Sequence, residues 1–410
     1  KAETNGSEAF GNITFVDSAA VKLHSAAGTN GDLFIDGSTD GAVGGTLSIT
    51  ATTGDITQGL ALAVTGASSF TTSAANGVIT LNNTSNAFAD AVTLSTTGSA
   101  AHAIIDNGTT TLDIAASTVG GNLTLTSGAA AGITDSGNVT VTGNLIATTN
   151  ANSGVINMGT LEVNGTIALT TDGTGDATIV NDDEIDFANS TVRGALSATA
   201  TTSHITDTGT LTITGASTFI TRATGSNIEL NSSGNAFAAA VTMKAETNGS
   251  EAFGNITFVD SAAVKLHSAA GTNGDLFIDG STDGAVGGTL SITATTGDIT
   301  QGLALAVTGA SSFTTSAANG VITLNNTSNA FADAVTLSTT GSAAHAIIDN
   351  GTTTLDIAAS TVGGNLTLTS GAAAGITDSG NVTVTGNLIA TTNANSGVIN
   401  MGTLEVNGTI

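Results

Sequence analysis

The sequence contains no cysteine, proline, tryptophan or tyrosine, and only six Lys and Arg side chains in 410 residues. Without cysteine there is no disulfide framework, thiolate metal site, iron–sulfur ligation or cysteine nucleophile, and the redox compartment cannot be read from the chain. Ordinary chains are about 5% proline, so its complete absence marks a compositional rule rather than a globular mixture. Against six basic residues stand 32 Asp and Glu, for a formal net charge of −26. That balance excludes a nucleic-acid binder built on basic patches and disfavours electrostatic attachment to anionic membranes. No run of about 18 apolar residues exists to insert into a bilayer. The first residues, Lys1-Ala2-Glu3-Thr4-Asn5-Gly6, lack the basic start and apolar centre of a signal peptide. Export information is therefore expected outside these residues if the protein is exported.

What the sequence has instead is repetition. Residues 1–167 recur letter for letter as 244–410, so each has its duplicate 243 positions further on. Two separately selected domains would have diverged over such a length, and the chain is expected to be a window on a longer tandem array, one continuous solenoid segment over 1–410. An older repeat lies inside the period. Residues 45–94 align without gaps on 194–243, with roughly half the positions identical, and a third copy begins at Gly121. The period thus divides into sub-repeats 45–120, 121–193 and 194–287. No Pro-rich tract, Ser/Gly-only tract or charge run separates them.

At the finest level apolar residues alternate with Thr and Ser. Leu47-x-Ile49, Leu62-x-Val64, Ile79-x-Leu81, Val92-x-Leu94, Leu112-x-Ile114, Leu123-x-Leu125, Val139-x-Val141 and Leu211-x-Ile213 read as short period-two strands bounded by Gly, Asn, Asp or Ser. Helix-compatible stretches such as 236–241 are too short to stand alone. Two all-β architectures fit: a parallel β-solenoid of about 20 residues per turn, or an array of immunoglobulin-like sandwiches. With 13 Phe as the only aromatic residues, the narrow aliphatic interior of a solenoid is the better match. Asn82, Asn83 and Asn86 before Phe88, matched by Asn231 and Asn235 before Phe237, suit left-handed corners with amides stacked along the axis. The Phe residues read as corner or core packing.

Several phrases carry a resemblance: Gly-Asp-Ile-Thr-Gln-Gly-Leu-Ala-Leu-Ala-Val-Thr-Gly (54–66), Ala-Asn-Gly-Val-Ile-Thr-Leu-Asn-Asn (75–83), Asn-Ala-Phe-Ala-Asp-Ala-Val-Thr-Leu (86–94) and Ala-Ser-Thr-Val-Gly-Gly-Asn-Leu-Thr-Leu (116–125). They resemble the strand repeats of giant bacterial surface proteins, the filamentous-haemagglutinin-like and autotransporter-type adhesins. The resemblance implies a right-handed parallel β-helix, export across a Gram-negative envelope, and a role as stalk, adhesin or extracellular fibre. No secretion, anchor or tip domain accompanies the repeats, so route and receptor are left open.

Candidate chemistry is sparse. The histidines His24, His102, His204, His267 and His345 reduce to three independent positions and form no His-Glu-x-x-His, nor does a Gly-x-Ser-x-Gly elbow accompany them. They read as surface or coil-packing residues. The Gly-rich stretch 37–45 lacks the Lys of a phosphate loop. Polysaccharide lyases and hydrolases do occur on β-helices, but such sites need a carboxylate cluster and, for acidic sugars, a basic residue. Here Arg193 and Arg222 are the only arginines and the charge repels a polyanion. No catalytic residue and no required cofactor is expected.

The acidic residues are the one candidate ligand set. Alternation through Asp182, Glu184 and Asp186 would point these three outward on one face and Ile185 and Phe187 inward. Carboxylates spaced two apart repel, and calcium would relieve that repulsion. Asp32, Asp36 and Asp40, repeated as Asp275, Asp279 and Asp283, form a second acidic turn. Neither matches an EF-hand loop or the calcium-binding nonapeptide, and the competing reading is a solvated acidic face that keeps a long fibre soluble. Sequons such as Asn12-Ile13-Thr14 are expected by chance in a chain this rich in Asn and Thr. The expected role is an extracellular structural repeat protein of a bacterium, secreted or at the cell surface. Its expected partners are further copies of itself, with surface glycans or receptors as the alternative for a stalk.

Overall fold

A computed structural model describes residues 3–4, 7–24, 32–35, 41–245, 254–267, 275–278, 284–393 and 396–410. The described residues contain no helix, and the chain forms two compact units, 1–198 and 199–410. Each unit is a parallel β-solenoid. The alternating phrases decide this locally: Leu47–Ala51 buries Leu47, Ile49 and Ala51 and turns Ser48 and Thr50 outward, as the period of two along a strand requires.

In the first unit one stack runs through Ile13–Asp17, Leu47–Ala51, Ser68–Ala75 and Val92–Thr97. It continues through the paired short strands Leu112–Ile114 and Ser117–Val119, then Ile133–Asp135 and Val139–Val141, and on to Ile156–Val163 and Ala177–Asn181. A second stack runs from Val21–Leu23 through Ile56–Gln58, Ile79–Leu81, Ala103–Asp106, Leu123–Ser127 and Leu145–Thr149 to Thr166–Thr170. A short third stack joins Ala42–Val43, Ala63–Val64 and Ala87–Phe88. The second unit repeats the arrangement, for instance Ile256–Asp260, Leu290–Ala294, Ser311–Ala318 and Val335–Thr340. Every pairing described within a unit is parallel except that of Glu3–Thr4 with Ser7–Phe10. That register rules out the sandwich array, whose sheets are antiparallel.

Equivalent residues on successive coils lie 20 to 24 positions apart in most of the chain. The coils joining Ile13 to Leu47 and Ile256 to Leu290 are longer, with corner partners 34 positions apart. The interior is built by stacking like on like. Phe15, Ile49, Phe70 and Leu94 stand in one column, and Phe70 and Phe88 meet edge to face with ring centroids 5.7 Å apart, both fully buried. Burying such a ring contributes about 3 kcal/mol by area, so a narrow interior gains most of its stability from few large side chains.

The asparagines before phenylalanine behave differently from the expectation. Asn86 and Asn235 are buried at 2% and 0% exposure, and among the described residues the left-handed asparagines are Asn76, Asn152 and Asn319. Asn86 accepts the Leu62 N–H at 2.9 Å and donates to the Leu81 and Asp106 carbonyls at 3.1 and 3.0 Å. It ties three coils together from inside, because a buried amide must satisfy both its donor and its acceptor.

Candidate functional site

Outward-facing chemistry is set by the corner where each coil turns into a strand of the second stack. In the first unit the corner residues in successive coils are Asp55, Val78, His102, Asn122, Asn144 and Thr166, each immediately before an inward aliphatic residue or alanine. Where the side chain can accept, it takes the N–H of the corner residue in the next coil. Asp55 Oδ1 accepts from Val78 at 2.9 Å, His102 Nδ1 from Asn122 at 2.8 Å, Asn122 Oδ1 from Asn144 at 3.0 Å and Asn144 Oδ1 from Thr166 at 2.9 Å. The same order recurs as Asp298, Val321, His345, Asn365, Asn387 and Thr409. A third ladder, His204 to Asn227 to Asn255 to Thr289, has bonds of 2.9, 2.8 and 2.8 Å. Glycine precedes most of these corners for a steric reason: a Cβ on Gly143 would lie 2.8 Å from the Gly121 carbonyl oxygen.

The acidic segment lies one coil beyond Thr166, with Asp186 in register with it. Ile185 and Phe187 point inward and are fully buried, as the alternation predicts. Of the three acids Asp186 alone lies on a strand, with Glu184 immediately before it, and Asp182 is further from it. It sits with Asp183 in the exposed bend between Ala177–Asn181 and Ile185–Phe187. The bend is held by Asn181, fully buried, whose Nδ2 donates to the Glu184 and Val163 carbonyls at 2.6 and 3.0 Å while its Oδ1 accepts from Val163 N at 2.8 Å. A surface groove of about 220 Å³ opens beside it, rimmed by Asn144, Asn164, Thr166, Asp183, Glu184 and Asp186. Asp183, the second of two adjacent aspartates in the bend, borders this groove, a position that strand alternation does not locate.

Among the described residues no three His, Asp or Glu side chains are grouped as the ligands of a metal ion would be. Asp32 opens the strand Asp32–Leu33 in register with Lys22, and Asp275 stands likewise beside Lys265. Asp36, Asp40, Asp279 and Asp283 lie outside the described residues.

Two other carboxylates are set apart by their surroundings. Asp260 is 1% exposed, and its Oδ1 faces the N–H groups of Phe237 and Ala262 at 3.3 Å each. Burial pushes its pKa above the ordinary carboxylate range despite these donors. Asp378 is the opposite case. Its partial burial acts upward, but the Thr403 hydroxyl and the Gly402 and Thr403 amides, all at 2.7 Å, outweigh it and hold the group low.

Rows of hydroxyls cover the outer face of the first stack. Thr14, Ser48, Ser69 and Thr93 stand in one register line, and Thr50, Thr71, Ser95, Thr118 and Thr140 in another, before Glu162 follows. Fold and surface together define a tandem-repeat β-solenoid whose polar chemistry is distributed coil by coil. The chain belongs to the family described as repeats of unknown function (DUF5649), whose profile matches residues 10–95, 100–158, 174–244 and 253–338. No curated protein and no solved structure matches it.

Proposed function

We propose that the chain is a stretch of an extracellular structural repeat protein of a bacterium, forming a long stiff fibre or cell-surface filament. The observation that carries this reading is the direction of its bonding. Parallel backbone ladders, corner ladders such as Asp55 to Val78 and His102 to Thr166, and internal amides such as Asn86 all run from coil to coil. Each coil is thereby fastened to its neighbours, and a solenoid lengthens by adding coils without changing any local contact. The acidic surface keeps such a fibre soluble, and further copies of the repeat are its natural neighbours.

Electron microscopy of the native surface material tests the reading. At 20 to 24 residues per coil and ~4.8 Å per coil, the duplicated period spans about 50 to 58 Å. Filaments with that axial repeat support a structural fibre, whereas isolated particles with no axial repeat refute it.

A second reading, the adhesin stalk, is favoured by the two hydroxyl rows. Single Ser or Thr contacts to a surface glycan are weak, and many in register gain strength through multivalency. In that case substituting one row with Lys on several coils would abolish adhesion while leaving filaments intact. The reading gives the chain no catalytic step and requires no cofactor.

A further inference from the structure

Among the described residues three ladders begin with histidine, and the histidine differs from the other corner residues in one chemical respect. Asn and Asp accept through oxygens that remain acceptors at any pH at which the protein is folded. An imidazole accepts through Nδ1 only while that nitrogen carries no proton. The Asn122 N–H is 2.8 Å from His102 Nδ1, and the Asn365 N–H is 2.8 Å from His345 Nδ1, so each neutral ring carries its hydrogen on Nε2. We infer that His102 and His345 are acid-labile joints in the coil stack: protonation of Nδ1 turns the acceptor for the next coil's corner N–H into a donor facing it. Two donors then point at each other and the corner opens, while the ladder above, Asn122 to Asn144 to Thr166, keeps its acceptors.

The surroundings leave this chemistry to the histidine. The coil beneath presents Val78 at the corner and the coil above presents Asn122, neither of which ionises. On its own strand, Ala103–Asp106, the acid is Asp106, whose Oδ1 is engaged by the Gly108 N–H at 2.8 Å. Along the column the next acids are Asp55, two coils below His102, and Asp186, four coils above it and one beyond Thr166. The second copy repeats this with Val321, Asn365, Asp349 and Asp298. Space is equally restricted: a Cβ on Gly121 would sit 2.6 Å from His102 Nδ1, so the ring is seated directly against the next coil's backbone.

The test is amide hydrogen exchange on the full chain and on the double variant His102→Asn/His345→Asn. Asparagine is the natural choice because Asn122 and Asn144 already fill the same corner one and two coils on, and its oxygen restores a permanent acceptor. The readout is the protection of the Asn122 and Asn365 amides relative to Asn144 and Asn387 in the same ladders, which cancels global effects of pH. Between about pH 8 and about pH 5, this ratio is expected to fall tenfold or more in the native chain. In the double variant it should change less than twofold. A ratio that stays constant in the native chain, or that falls equally in the double variant, overturns the inference. Nitrogen-15 spectra supply an independent check: at the higher pH both rings should show an unprotonated Nδ1, and a proton found there would refute the bond on which the joint depends.

Discussion

Asp260 occupies a place that other coils fill with asparagine, and replacing it should stabilise the protein. In the equivalent position Asn107 accepts from Phe88 N at 2.7 Å and donates to the Phe88 and Thr111 carbonyls at 3.0 and 2.7 Å. Asn350 repeats this above Phe331, and Asn181 above Val163. Asp260 receives the Phe237 N–H at 3.3 Å, but an ionised carboxylate has no hydrogen to give to a carbonyl. Its register partner above is Ala294, and the neighbouring Ser261 N–H donates to the carbonyl of Asn235, whose side chain meets Asp207. Asp260→Asn would remove a buried charge and add up to two donated bonds at about 1 kcal/mol each, for a gain of about 1–3 kcal/mol at pH 7. In a unit of some 200 residues that is about 3–10 °C in Tm.

The sign with pH follows from linkage. Burial raises the folded pKa of Asp260 above its unfolded value, so its contribution is fully present below the unfolded pKa and is lost as pH rises through the folded one. The advantage of the variant should therefore be largest at neutral pH and shrink on acidification toward about pH 4. Urea denaturation of both proteins across that range measures it. A variant less stable at pH 7, or a gain independent of pH, would refute the reasoning. Asp17→Asn, at the partly exposed duplicate of the site, is expected to have a much smaller effect.

Gly143→Ala should cost about 1–3 kcal/mol in denaturant titration, since its Cβ would lie 2.8 Å from the Gly121 carbonyl carbon and oxygen and the coils must separate. Asn181→Leu should cost about 2–4 kcal/mol by leaving the Val163 N–H and carbonyl buried without partners; no loss in Tm would show that the amide is dispensable. Dialysis against a chelator should leave Tm and filament shape unchanged if the Asp183, Glu184 and Asp186 rim is a solvated acidic face. A fall of several degrees, reversed by calcium, would establish a bound cation instead.

The strand positions were legible because interior and exterior alternate strictly: each of the eight phrases from Leu47-x-Ile49 to Leu211-x-Ile213 contributes both of its apolar residues to the core. The choice of solenoid over sandwich rested on a weaker signal, the lack of large aromatics, and parallel register decided it. The corner ladders were hidden for a different reason. His102 and Asn122 belong to different coils, and the fact that both precede an inward residue becomes meaningful only once the coil length is known. Asn86 was misread as a left-handed corner because asparagine serves turns and buried amide bridges with the same side chain. Alternation read from Asp186 back through Glu184 to Asp182 runs past the start of Ile185–Phe187 into a bend, where the period of two no longer holds.

The two levels of repetition show which features the coil demands. Gln58 and Asp207 hold equivalent places in sub-repeats that have lost about half their identity. Gln58 meets Asn86 through its side-chain amide and receives the Asn83 N–H at 3.3 Å, while Asp207 receives the Asn231 N–H at 2.7 Å and meets Asn235 Nδ2 at 2.6 Å. The residue has changed from amide to acid, yet its task of holding the buried asparagine and the following turn persists. What the two sub-repeats share is thus an acceptor at the same height on the axis, not a residue type. It follows that the letter-for-letter identity of 1–167 and 244–410 is not needed for folding. The older sub-repeats take the same fold with about half of it, and arrays of different period number should share the same local stability per coil.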